Sequence, residues 1–261
     1  MTNKLIAFHG KQEIKDKYIA RVKAHQEADE ITKGIYWQNG KGCAVGCTIE
    51  GSDHKKFEVE LGIPTVLAHL EDGLFESMSN EEAKKFPLRF LEAIPVGADL
   101  SDVFKHLVVW EWDDSVHGLK NIQEIKDDKE LYDCCEAVTE LYRRTLKGEE
   151  VETSEWSKLE ELAGKIYEAR AGAGAWAGAE SWAWARARAG AEAWAGAESW
   201  AWAWARARAG AGAWAWAGAG AWAGAWAGAR ARAGAEAEHE KQVSISVEKL
   251  LELLKEAPVK I

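Results

Sequence analysis

Across the 70 residues from 169 to 238 there is no Pro, Asn or Asp to turn a hairpin, and no Leu, Ile, Phe or Val to build an ordinary apolar face. The whole chain of 261 residues holds four cysteines. Its first residues, MTNKLIAFH, lack the apolar core of a secretory leader. The expectation is therefore a cytoplasmic protein with reduced thiols. Positive charge is also in short supply, with a net of −10. The repeat carries seven Arg and five Glu, so the rest of the chain carries −12. A surface that acidic repels phosphate, and no nucleic-acid partner is expected. P-loop, GxGxxG, HExxH and GxSxG patterns are all missing. Phosphate-cradling loops, dinucleotide fingerprints, zincin helices and nucleophile elbows are thereby excluded.

What is present falls into three parts: an acidic head over 1–168, an alternating repeat over 169–238 and a closing segment over 239–261. In the repeat every odd position is Ala except Ser181 and Ser199, and the even positions hold Gly, Trp, Arg or Glu. The unit AWAGAESWAWARARAGAE begins at Ala175, and a longer copy begins at Ala193. Strict alternation is the mark of a strand and would make a silk-like sheet with one Ala face. Composition favours helix, since Ala, Arg and Glu are good helix formers, although each Gly costs about 1 kcal/mol against Ala. Helical segments broken at Gly-rich points are the expected form, with silk-like β the alternative. The uncharged run 209–229 is long enough to span a bilayer, but Ala and Gly supply little insertion energy. Arg pairs such as Arg186/Arg188 lie among the Trp residues, which leaves association with a membrane surface as a further alternative.

The head reads as mainly α. Apolar residues recur at helical spacing from Lys11 to Ala28, with Tyr18, Val22 and His25 on one face. Asn39-Gly40 marks a turn. Glycines between 42 and 64 predict loop, with a short helix over His54–Leu61. Helices follow at Thr65–Met78, from Ser79 to Ile94, and from Ser101 to Trp110. Asp127 with Glu130 has the spacing of a capping box. The helix it opens stops at Gly148, and Thr153 or Ser154 starts the next. Ser246 is placed to cap a closing helix over Val247–Glu256, and Pro258 ends it. With caps and apolar faces of its own, the head is expected to fold without the rest.

The strings GCAVGCTIEGSDH, ELGIPTVLAHLEDGLFE and FPLRFLEAIPVGADLS together resemble a family of uncharacterised bacterial and bacteriophage proteins. In that family a similar N-terminal domain precedes an alanine-rich, low-complexity half and a short final helix of the KLLELL type. The resemblance covers residues 5–168 and 246–258 and implies a phage or prophage type of accessory protein, without naming an activity.

Three residues carry the candidate chemistry. Cys43, Cys47 and His54 offer soft and borderline ligands suited to zinc, with His69 or Cys134 as a fourth. The same thiols also read as small packing residues in a tight Gly-rich loop. Alternatively, Cys43 or Cys47 is a nucleophile with His54 as base and Asp53 or Glu58 behind it. The pairs Glu71-Asp72 and Asp113-Asp114 could serve acid–base work, but read as solvated surface charge. The leading expectation is a non-enzymatic interaction protein whose tail is a spacer or self-association element. A thiol- or zinc-dependent enzyme centred on Cys43, Cys47 and His54 is the alternative.

Overall fold

The computed structural model describes residues 5–170 and 235–260. They are mainly helical, with ten α-helices and one two-residue-per-strand hairpin among them. The described residues form two compact units, one of 5–104 with 243–260 and the other of 105–170 with 235–242. The alternating repeat between 171 and 234 lies outside the described residues, and with it the choice between helical segments and silk-like sheet. Among the described residues no helix is long and apolar enough to cross a membrane, and the uncharged run 209–229 also lies outside them.

The first unit opens on a left-handed turn, with Phe8, His9 and Gly10 all at positive φ. Helix α1 (Gln12–Glu27) buries Tyr18 and Val22. The antiparallel strands β1 (Trp37–Gln38) and β2 (Lys41–Gly42) are joined by Asn39-Gly40, both at positive φ, the chemistry of a two-residue hairpin turn.

The glycine-rich stretch that follows is non-helical over 50–55 and 62–64, as expected, but its first part is not a loop. It forms helix α2 (Ala44–Ile49), and every residue of that helix is buried. A Cβ on Gly46 would stand 1.6 Å from the Tyr36 carbonyl oxygen, and one on Gly42 2.2 Å from it. These glycines serve close approach to the backbone at Tyr36, just before β1. Around α2 pack α1, α4 (Thr65–Ser77) and α5 (Asn80–Ala93), with α3 (Lys56–Leu61) against α4. The Ser79 hydroxyl caps α5 by accepting from the Glu82 amide.

The closing helix runs over Ala235–Lys255, much longer than the expected span, and it passes straight through Ser246. Ser246 is therefore a buried mid-helix residue and not a cap. Val243, Val247, Leu250, Leu251 and Leu254 are buried in the first unit. Beyond the helix the chain runs against residues 97–99: the Asp99 amide donates to Pro258 O and the Lys260 amide to Gly97 O, each at 2.9 Å.

The unit boundary falls within α6 (Val103–Asp113). In the second unit, α7 (Gln123–Asp127), α8 (Lys129–Leu146) and α9 (Thr153–Arg170) follow. Asp128, one residue later than the expected Asp127, caps α8 by accepting from the Leu131 amide at 3.1 Å. Gly148 at φ +79° ends that helix as the sequence predicts. Trp156 is fully buried, with its ring centroid 4.8 Å from that of Tyr142. Asp113 is not a free surface charge. Arg143 grips it through two bonds of 2.9 Å and also reaches Glu136 and Glu140. Asp114 accepts from the Val116 and His117 amides and so shapes its own turn.

Candidate functional site

Helix α4 organises the polar chemistry of the first unit. Thr65, His69, Asp72 and Glu76 recur at four, three and four residues, which places them along one face. Facing that stripe are the hairpin approach with Tyr36, the start of α2 with Cys43, and the turn that carries His54.

Cys43 is held as the N-cap of α2. Its amide donates to Ile35 O at 2.8 Å, and its sulfur accepts from the Gly46 amide at 3.4 Å. Burial, followed by the charge of Asp72, pushes its thiol far above the usual range. Cys47 lies one turn on and makes different contacts. Its sulfur donates to Gly42 O at 3.3 Å, and burial raises it to about 12. Cys134 and Cys135 are buried in α8 of the second unit.

His54 is 4 % exposed, and its ring lies parallel to that of His69 with centroids 4.2 Å apart. The Tyr36 ring meets it edge-on at 5.5 Å. His54 Nε2 stands 3.8 Å from Asp72 Oδ2, an ion-pair distance too long for a direct hydrogen bond. Asp72 thus occupies the place behind His54 that was expected for Asp53 or Glu58. Those two are engaged locally: Asp53 accepts from the Lys55 amide, and Glu58 from the Thr65 amide.

His69 keeps an exposed surface. Protein nevertheless crowds its ring, so that burial, with His54 beside it, holds the imidazole down at about 3.

The pair Glu71-Asp72 is not solvated surface charge. Glu71 is 0 % and Asp72 6 % exposed. Glu71 projects from the apolar side of α4, among Leu67, Leu70 and Leu74 by helical register. Neither of its carboxyl oxygens has a partner. Burial, and then the charge of Asp72, raises it well above the ordinary carboxyl range. Asp72 Oδ1, Thr65 Oγ1 and His54 Nε2 are likewise buried and unpartnered.

Of the three predicted site residues, the structure sets Cys43 and His54 around Asp72 and sends the Cys47 thiol to a backbone carbonyl. Among the described residues no group of three His, Cys, Asp or Glu side chains is arranged to hold a metal ion. The catalytic arrangement is also wrong for a thiol. A nucleophilic Cys needs a nearby cation or base to draw off its proton. Here the nearest charge is the Asp72 carboxylate, which opposes ionisation. Asp72, weighed in the sequence only as one of a surface carboxylate pair, was not placed with Cys43 and His54. The signal that could have found it is its four-three-four register with Thr65, His69 and Glu76.

The consequence for Cys47 is testable. A thiol held at about 12 instead of near 9 has roughly a thousandfold less thiolate at pH 8. Alkylation of the folded chain by iodoacetamide is expected to be slower than in denaturant by about that factor. Rapid labelling of Cys43 or Cys47 in the folded state would show the thiols to be activated.

Comparison with known proteins supplies no outside constraint: no family model matches the chain, and neither curated proteins nor solved structures return a match.

Proposed function

We propose that this chain is a non-enzymatic interaction protein of accessory type, in keeping with the phage and prophage resemblance. The acidic helical head makes a specific protein contact, and the alternating repeat acts as a spacer or self-association element. The observation that carries this reading is the state of the thiols. Cys43 is used as a helix cap and Cys47 as a donor to a carbonyl, and burial keeps both neutral. They behave as small packing residues, the role that buried, uncharged cysteines serve. The repeat supports self-association by composition, since alternating Ala and Gly allow close approach of backbones while Trp supplies large contact area.

Sedimentation equilibrium of the intact chain over a hundredfold range of concentration tests the proposal. An apparent mass that rises above 28.8 kDa with concentration is expected. A mass fixed at the monomer value throughout removes self-association, and a zinc ion retained per chain by the purified protein returns the thiol–metal alternative.

A further inference from the structure

The first unit is built from two stretches that lie far apart in the chain. Residues 5–104 supply most of it, residues 243–260 complete it, and residues 105–242 stand between them. The closing segment has the features of a ligand for the rest. Val243, Val247, Leu250, Leu251 and Leu254 follow one another at four, three, one and three residues, which is one face of a helix, and all five are buried. Beside that face Glu248 pairs with Arg89. Past the helix, the Asp99 amide donates to Pro258 O and the Lys260 amide to Gly97 O. Ala98 and Val259 therefore face each other as an antiparallel pair with no hydrogen bond of their own, the closer of the two kinds of pair. Lys260 also pairs with Asp99. An apolar face, two ion pairs and a strand register thus specify one seat for this segment on residues 5–104.

None of these contacts depends on the covalent path between the two stretches, and that path includes the 64 residues 171–234. Contacts made within one copy or between two copies are then the same contacts. The choice rests on the effective concentration at which a copy presents its own segment to its own seat. That concentration is on the order of mM for a short flexible link and falls as a link lengthens beyond the span it must cover. The cost of closing the path also grows with its length. Exchange of an identical element between protomers is a low-cost route to a dimer, because it needs no new surface.

We propose that the seat on residues 5–104 accepts the closing segment of a second copy, so that copies of this chain associate by reciprocal exchange of residues 243–260. This rests on the self-association reading and gives it a contact surface. The alternating repeat is then the spacer that carries the segment from one copy to the other.

The test places a cysteine on each side of the Ala98–Val259 pair, where facing side chains come close enough for a disulfide. The four native thiols are buried and do not compete. In a full chain carrying both Ala98→Cys and Val259→Cys, oxidation is expected to join 98 to 259 in most molecules, which checks the register. Full chains carrying only Ala98→Cys or only Val259→Cys are then mixed in equal amounts, refolded together under reducing conditions and treated with oxidised glutathione. A peptide linking 98 to 259 in that mixture comes only from exchange between copies. By mass spectrometry after digestion it is expected in on the order of a tenth of the chains at about 100 µM, rising with total concentration. If the double variant forms the bridge and the mixture does not, exchange is overturned. A double variant that forms no bridge overturns the seat itself. The surface pair Arg89→Cys and Glu248→Cys, joined by a bismaleimide spacer, gives the same comparison if Ala98→Cys fails to refold. A sedimentation mass that rises with concentration in the absence of any linked peptide leaves self-association standing and removes exchange, whereas a monomer throughout removes both.

Discussion

A chain ending at Gln242 is expected to lose the cooperative melting of its first unit. The segment 243–260 is the last part of that unit to be made, and it supplies Val243, Val247, Leu250, Leu251 and Leu254 to the core. It also satisfies the backbone of residues 97–99 through the Asp99–Pro258 and Lys260–Gly97 hydrogen bonds, and adds the Arg89–Glu248 and Lys260–Asp99 ion pairs. Truncating a buried Leu to Ala costs about 2–5 kcal/mol. Leu250 and Leu254, both 0 % exposed, therefore carry together a large share of the ~5–15 kcal/mol that stabilises a domain. Leu250→Ala with Leu254→Ala in one chain is expected to lower the melting temperature by well over 10 °C by far-ultraviolet circular dichroism. A chain cut at Gln242 that melts at the temperature of the full chain would overturn the assignment. The expectation that residues 1–168 carry complete apolar faces is corrected by the same contacts, because part of the first unit's core comes from the far end of the chain.

The second large effect belongs to Glu71. Its carboxyl is buried without a partner, and its folded-state value lies well above that of the unfolded chain. Between those two values the unfolded state has released the proton and the folded state has kept it. The folded state therefore binds more protons, and stability falls as pH rises through that window. Each pH unit within it costs about 1.4 kcal/mol. The penalty grows from the unfolded carboxyl value upward until either the group ionises or the helix shifts to hydrate it. Glu71→Gln removes the titration, so the difference in stability between variant and natural chain is expected to grow in favour of the variant as pH rises above the unfolded carboxyl value. Glu71→Met also removes the two unpartnered oxygens and is expected to add a further ~1–3 kcal/mol at every pH. Denaturant unfolding at a series of pH values measures both. Parallel pH profiles for all three chains would show that Glu71 is hydrated in the folded state.

Much of the helical frame was legible because its signals are local. Asn39-Gly40 needs two positive φ values, and the hairpin turn is where such a pair belongs. Ser79 before Glu81-Glu82 and Gly148 after a long amphipathic run are instructions that neighbouring residues execute by themselves. The glycine-rich stretch after the hairpin was not legible. Glycine permits a loop and permits close packing equally well, and only the Tyr36 carbonyl pressed against Gly42 and Gly46 selects the second. The candidate site was half legible. Cys43 and His54 are close in sequence and stay close in space, whereas Asp72 reaches them only because α4 packs against α2 and α3.

By itself the amino-acid sequence determined that this is a mainly helical, acidic chain with a strictly alternating repeat. It also determined where most helices of the head begin and stop, since caps, turns and apolar periodicity act over a few residues. The tertiary structure alone decided which faces meet. It brought the closing helix back onto the first unit, turned Glu71-Asp72 from apparent surface charge into buried groups, and parted the thiols of Cys43 and Cys47. The physical reason is that a carboxylate's exposure and a thiol's ionisation depend on atoms brought near by packing, and the spacing of residues along a chain does not specify which helices those atoms come from.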